Sequence, residues 1–277
     1  MSATGLLDLV LVDGFAVSPY AQQASLALLG RSAVVTQVNP IRLTRFVAGV
    51  LLAATCIATA WYALMNARND SPRLLMWRYI GLSTAVGAVF AALIVTEAIY
   101  TASGWSDVVT AFRRLSQLFF VIFLSLAMRE LYYEQSTAGD KTHRLSLANA
   151  RRLETGFMLL ALVQFPVAAL LGPTTVTLSI VVIAAAAFTA YGVSFARGIR
   201  ERRLTSGTVL DVTVTYVIAV LLSVGTLSIV EGSYIIGVPE VAVDSAVNIF
   251  LIMSATFLIS LIIRLKRNAE ATQHVAG

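Results

Sequence analysis

The sequence predicts an all-α membrane protein of seven transmembrane helices, with its N-terminus outside and its C-terminus cytoplasmic. Three observations carry that expectation. The 277 residues are 58% hydrophobic and 13% charged, with mean hydropathy +0.81, whereas a soluble domain carries about 25% charged residues. Seven apolar stretches recur along the chain, each long enough to cross about 30 Å of hydrocarbon at about 1.5 Å per residue. The basic residues gather in alternate connections between those stretches. Helices are the expected spanning element because lipid offers no partner to a free backbone N–H or C=O.

Residues 1–44 read as an extracellular N-terminal segment. Asp8, Asp13 and Pro19 interrupt its apolar character, and no basic n-region opens it. It therefore suits neither a span nor a signal peptide, and a short interfacial helix fits it better. The spans follow at 45–65, 78–100, 106–130, 152–171, 174–196, 207–231 and 241–264. Together they make a transmembrane domain over 45–267, and residues 268–277 form a cytoplasmic tail.

Orientation comes from the connections. Arg68, Arg73 and Arg78 border the first. The third takes Arg129, Lys141, Arg144, Arg151 and Arg152, the fifth Arg197, Arg200, Arg202 and Arg203, and the tail region Arg264, Lys266 and Arg267. The second, fourth and sixth connections carry none. The positive-inside rule places the basic set in the cytoplasm, with Arg31, Arg42 and Arg45 dissenting. The fourth connection, Gly172-Pro173-Thr174, is so short that the spans on either side must be antiparallel neighbours.

Composition also excludes chemistry. The formal charge of +5 and pI near 9.6 reflect membrane orientation rather than nucleic-acid binding, because the basic residues sit at helix ends on one side. Those loops can meet anionic lipid. Cys56 is the single cysteine, and His143 and His274 lie in a loop and the tail. No metal site and no His-ligated haem is expected from that set. No phosphate loop, HExxH or serine–base pair is present, so the sequence predicts neither an enzyme nor a bound cofactor.

The costliest residues are Arg113 and Arg114, in the outer third of the third span. Adjacent residues lie about 100° apart on a helix, so at most one points inward and the other snorkels to the interface. Glu97, Glu231 and Asp244, with Asp107 and Glu240, form an acidic outer rim that could pair with the inward arginine and bind an ion or polar ligand. The plainer reading is that outer loops are acidic because basic residues are kept inside. Gln117 and Asn248 are polar residues within spans, which most often join helices. Glu154 and Asp211 sit among arginines at cytoplasmic ends, where solvated ion pairs are expected.

Two segments carry a resemblance. Helix 3 reads "FRRLSQLFFVIFLSL" and helix 7 ends "MSATFLISLIIRLKR". With the seven-span topology and the "SIVEGSYIIGVP" turn at Glu231, these are similar to the microbial rhodopsins. The resemblance implies an opsin-like bundle. It matches Arg114 to the arginine before the Schiff-base counterion, Gln117 to the counterion and Thr256 to the retinal lysine. A second register matches Asp244 and Asn248 to the second counterion and the lysine, but places them too near the outer surface, so the Thr256 register is preferred. In the Thr256 register the lysine, both counterions and the proton donor are replaced. The only lysines, Lys141 and Lys266, lie outside the spans.

The function expected is therefore that of an opsin-like plasma-membrane protein without covalent retinal. Sensory, scaffolding or partner-regulating roles suit it, with a membrane protein or a second copy of the chain as partner. A facilitator or channel with a charged outer mouth is one alternative. A packing subunit of a larger membrane complex is another.

Overall fold

The computed structural model describes residues 40–69, 73–99, 106–135, 151–152, 154–159, 161–163, 166, 174–202 and 209–276. Among the described residues every regular element is helical. In chain order they are α1 (Pro40–Asn69), α2 (Leu74–Ile99), α3 (Ser106–Gln135), a shorter apolar helix α4 (Glu154–Val163), α5 (Thr175–Arg202), α6 (Val209–Gly232) and α7 (Glu240–Ala276). Six of them, all but α4, are long and apolar enough to cross a membrane. The remainder of the expected fourth span and most of the expected extracellular segment lie outside the described residues.

Several boundaries depart from the hydropathy pattern. α1 starts at Pro40, a residue whose missing N–H costs nothing in a first helical turn. α3 continues past the expected end at 130 to Gln135, so Arg129, grouped by its charge with the third connection, lies well inside the helix. α7 runs to Ala276 and absorbs the expected tail. No Gly or Pro interrupts either extension. Chain reversal after α6 is local: a 3₁₀ turn over Ser233–Ile236 ends at Gly237, whose φ of 81° favours glycine. The Gly237 and Val238 N–H groups donate to the carbonyls of Tyr234 and Ser233 at 3.1 and 3.2 Å.

The long helices close a ring in the order α1, α2, α3, α5, α6, α7, with α7 returning to α1 and α3 touching α6 across the middle. Contacts give their directions. Gly49 of α1 meets Ile94 and Val95 while Gly81 of α2 meets Ala63 and Leu64, so α1 and α2 are antiparallel. Ser125 reaches the Phe188 carbonyl at 2.7 Å and Tyr132 packs on Phe195, so α3 and α5 are parallel. Arg45 meets Asp244 and Asn66 meets Leu265, so α1 and α7 are parallel too. α4 runs antiparallel along α5, with Phe157 edge-on to Phe188 and Glu154 beside Tyr191.

Inside lipid, burial of apolar surface adds no drive to helix association, so close packing and interhelical hydrogen bonds must supply it. Both are present. A side chain at Gly225 of α6 would collide with Thr189 of α5, so the two backbones approach as only glycine permits. Ser83 donates to the Phe120 carbonyl at 2.9 Å, and Asn66 donates to the Leu265 carbonyl at 3.1 Å. The middle of the bundle is apolar, with Leu52, Phe90, Phe120, Val121, Leu221 and Leu251 fully buried.

Candidate functional site

Polar side chains concentrate in two layers, one toward each end. The first is built on the start of α3. Residues 113 and 117 lie about 40° apart on the helix and share a face, whereas 114 turns about 100° away. Arg113 points inward. Its Nε lies 2.8 Å from Glu97 Oε2 of α2, and its Nη1 pairs with Glu231 Oε1 of α6. Thr110 Oγ1 donates to the other Glu97 oxygen at 2.9 Å. One turn deeper, Gln117 Nε2 donates to Ser228 Oγ at 2.8 Å, while Gln117 Oε1 is buried without a hydrogen-bond partner. Arg113 thus ties three helices together, and Gln117 ties α3 to α6 again below it.

Two expectations for this end need revision. Arg113, not the rhodopsin-matched Arg114, is the inward arginine. Arg114 is half-buried, and its Nε is buried without a hydrogen-bond partner. Asp244 does not join Arg113 either. It sits 2.7 Å from Arg45 Nη2 and accepts from the Tyr234 hydroxyl at 2.8 Å. Asn248, beside it, accepts from Arg45 and donates to the Ile41 carbonyl at 3.0 Å. The acidic rim is therefore two clusters. Arg45, which dissented from the charge pattern, is neutralised where it stands.

The second layer is one the sequence reading missed. Arg129 is 1% exposed, the largest of the fully buried side chains. Its Nη2 lies 2.5 Å from Glu130 Oε1, and its Nη1 pairs with Glu154 of α4. Glu130 also accepts from Arg151 Nη2 at 3.0 Å, and Glu154 accepts from the Tyr191 hydroxyl of α5 at 2.6 Å. Glu130 and Glu154 are both buried, so Glu154 is not the solvated partner expected of it. Asp211 does match that expectation: it is 3.7 Å from Arg200, and both are partly exposed. A signal for the missed layer exists in the sequence. Leu131, Tyr132 and Tyr133 follow the Arg129–Glu130 pair, and interfacial tyrosines mark where a span ends.

Thr256 faces away from the bundle, and its hydroxyl returns to the Ile252 carbonyl of its own helix at 2.9 Å. Ile252 is exposed as well. The face of α7 turned toward the other helices carries Asn248, Leu251, Ala255 and Leu258. A lysine at 256 would point outward, so the register built on Thr256 places its tether on the wrong face. The second register is the one whose residues meet neighbouring helices.

Both layers hold charge rather than reactive groups. Among the described residues no cluster of three or more His, Cys, Asp or Glu could hold a metal. No family model, no curated protein and no solved structure matches this chain.

Proposed function

We propose that this chain is a seven-pass plasma-membrane protein that senses or regulates a partner and neither carries solute nor tethers a pigment. The amino end is outside in this reading and the carboxyl end cytoplasmic. The seventh pass is supported by direction. Because α3 and α5 run parallel, the chain between them must return across the bundle, and antiparallel α4 lies on that return. Orientation is supported by the basic residues at the Arg129 end and by the pairing of Arg45 with Asp244 at the other.

The observation that carries the functional half is the apolar middle between two paired charge layers. Hydroxyls described at that depth are bonded to backbone, as Thr84 is to Ile80 and Thr189 to Ala185, so their protons are not offered to a solute. Paired layers joining several helices are the kind of element whose two arrangements can transmit a signal. Proteoliposomes containing the protein should pass no ions or small neutral solutes faster than empty vesicles. Flux that changes in Arg113→Gln would replace this reading with the facilitator. Incubation with retinal should leave the visible spectrum empty, and a visible band would overturn the pigment-free half. On a Cys56→Ser background, Ala102→Cys should label from outside and Asp70→Cys only after permeabilisation. The reverse pattern would invert the topology.

A further inference from the structure

We propose that the groove between α4 and α5 holds an acyl chain of an anionic phospholipid from the leaflet at the Arg129 end, with the lipid phosphate on Arg151. The site goes beyond the sensory reading and does not depend on it. Its floor is a cavity of about 130 Å³ lined by Glu154, Phe157, Ala187, Phe188 and Tyr191. Phe157 stands edge-on to Phe188 at 5.6 Å, Phe188 edge-on to Tyr191 at 6.2 Å, and the small Ala187 leaves the gap between the rings. Glu154 adds no free charge to that lining, because one carboxylate oxygen is on Arg129 and the other on the Tyr191 hydroxyl.

The occupant follows from position and charge. The groove opens on the outward surface, where Phe157 and Ile183 are 40% and 68% exposed. In a bilayer such an outward apolar surface meets lipid tails. Arg151 lies one helical turn from Glu154 toward the Arg129 end. Its side chain is 48% exposed, with Nη2 held by Glu130, and Arg152 beside it is also exposed. Exposed guanidinium groups one turn beyond an apolar slot complement an anionic amphiphile, whose tail fills the slot while its phosphate meets the charge. A zwitterionic lipid gains less from the same contact because its choline repels the arginines. Occupancy would also be felt inside the bundle, since Glu154 and Tyr191 both line the groove and both belong to the Arg129 layer.

The test is native mass spectrometry of the full chain released from detergent after exposure to phosphatidylglycerol, phosphatidylcholine or oleate. The expected result is one retained phosphatidylglycerol per chain, favoured about fivefold or more over phosphatidylcholine, as one arginine near a phosphate supplies. Arg151→Gln, an exposed position, should erase that preference. Ala187→Phe, on the outer face of α5, should fill the slot and abolish retention of either phospholipid. Ala187→Leu serves if the larger ring disturbs folding, as judged by circular dichroism. Equal retention of both phospholipids, retention of oleate in their place, or undiminished retention in a folded Ala187 variant would each overturn the proposal.

Discussion

The Arg113 and Arg129 layers use the same ingredients, one arginine between two glutamates, and place them in different surroundings. Arg113 draws Glu97 and Glu231 from two other helices, and Glu97 keeps 22% of its side-chain surface exposed. Arg129 takes one glutamate from the next residue of its own helix and one from α4, and all three side chains are at most 8% exposed. The first layer is a clasp at the mouth of the bundle, with part of its charge still solvated. The second is sealed except where Arg151, 48% exposed, holds Glu130. A buried ion pair gains little over apolar residues of the same shape, yet breaking one leaves a stranded charge. The two layers should therefore tolerate the same substitution very differently.

Removing the Arg129 charge is the sharpest way to break that contrast. Arg129→Met should cost about 3–5 kcal/mol by stranding Glu154, while Glu130 keeps Arg151, and is expected to abolish a cooperative thermal transition in detergent. Adding Glu130→Gln and Glu154→Gln to the same chain should restore much of the loss, because no buried carboxylate then remains and Arg151 is half exposed. If the triple variant melts no higher than the single one, the layer is not held by its charge balance. Arg113→Met should cost less, about 1–3 kcal/mol, since Glu97 can rehydrate. A melting temperature lowered as far as that of Arg129→Met would erase the distinction between the layers.

Packing between the layers sets the next scale. Gly225→Val pushes a side chain into Thr189 and should destabilise by about 1–3 kcal/mol through overpacking. Thermal melting would show it, and a neutral result would mean that α5 and α6 separate readily. Ser83→Ala removes one interhelical bond to the Phe120 carbonyl and should shift stability by only about 0.6 kcal/mol. A larger loss there would show that the apolar middle depends on its hydroxyls more than on its contacts.

The two layers were unequally legible in the sequence. Arg113 and Arg114 stand inside an apolar stretch, so their cost alone marks them, and Glu97 and Glu231 lie near enough to the same end to be named as partners. Which arginine turns inward is not local information. A helical wheel separates them by about 100° but does not say where α2 and α6 lie. Arg129 reads as part of the third connection because the hydropathy pattern stops where charge begins, and nothing in the sequence singles out Glu130. Their burial depends on α3 continuing to Gln135 and on the start of α4 folding back onto it. Asp244 reads as part of the rim around the two arginines by end alone, whereas the ring brings α7 beside α1 and so beside Arg45.

Composition and periodicity determined that this is a helical membrane protein, which stretches are apolar enough to cross and where the costly charges begin. Those properties depend on each segment's own transfer between water and lipid, which a residue carries wherever its neighbours lie. The tertiary structure alone decided which charges meet, that Thr256 faces outward, and that an arginine read as lying in a connection is the most deeply enclosed charge described. Pairing and facing are set by the order of helices around the ring, and no window of sequence contains that order.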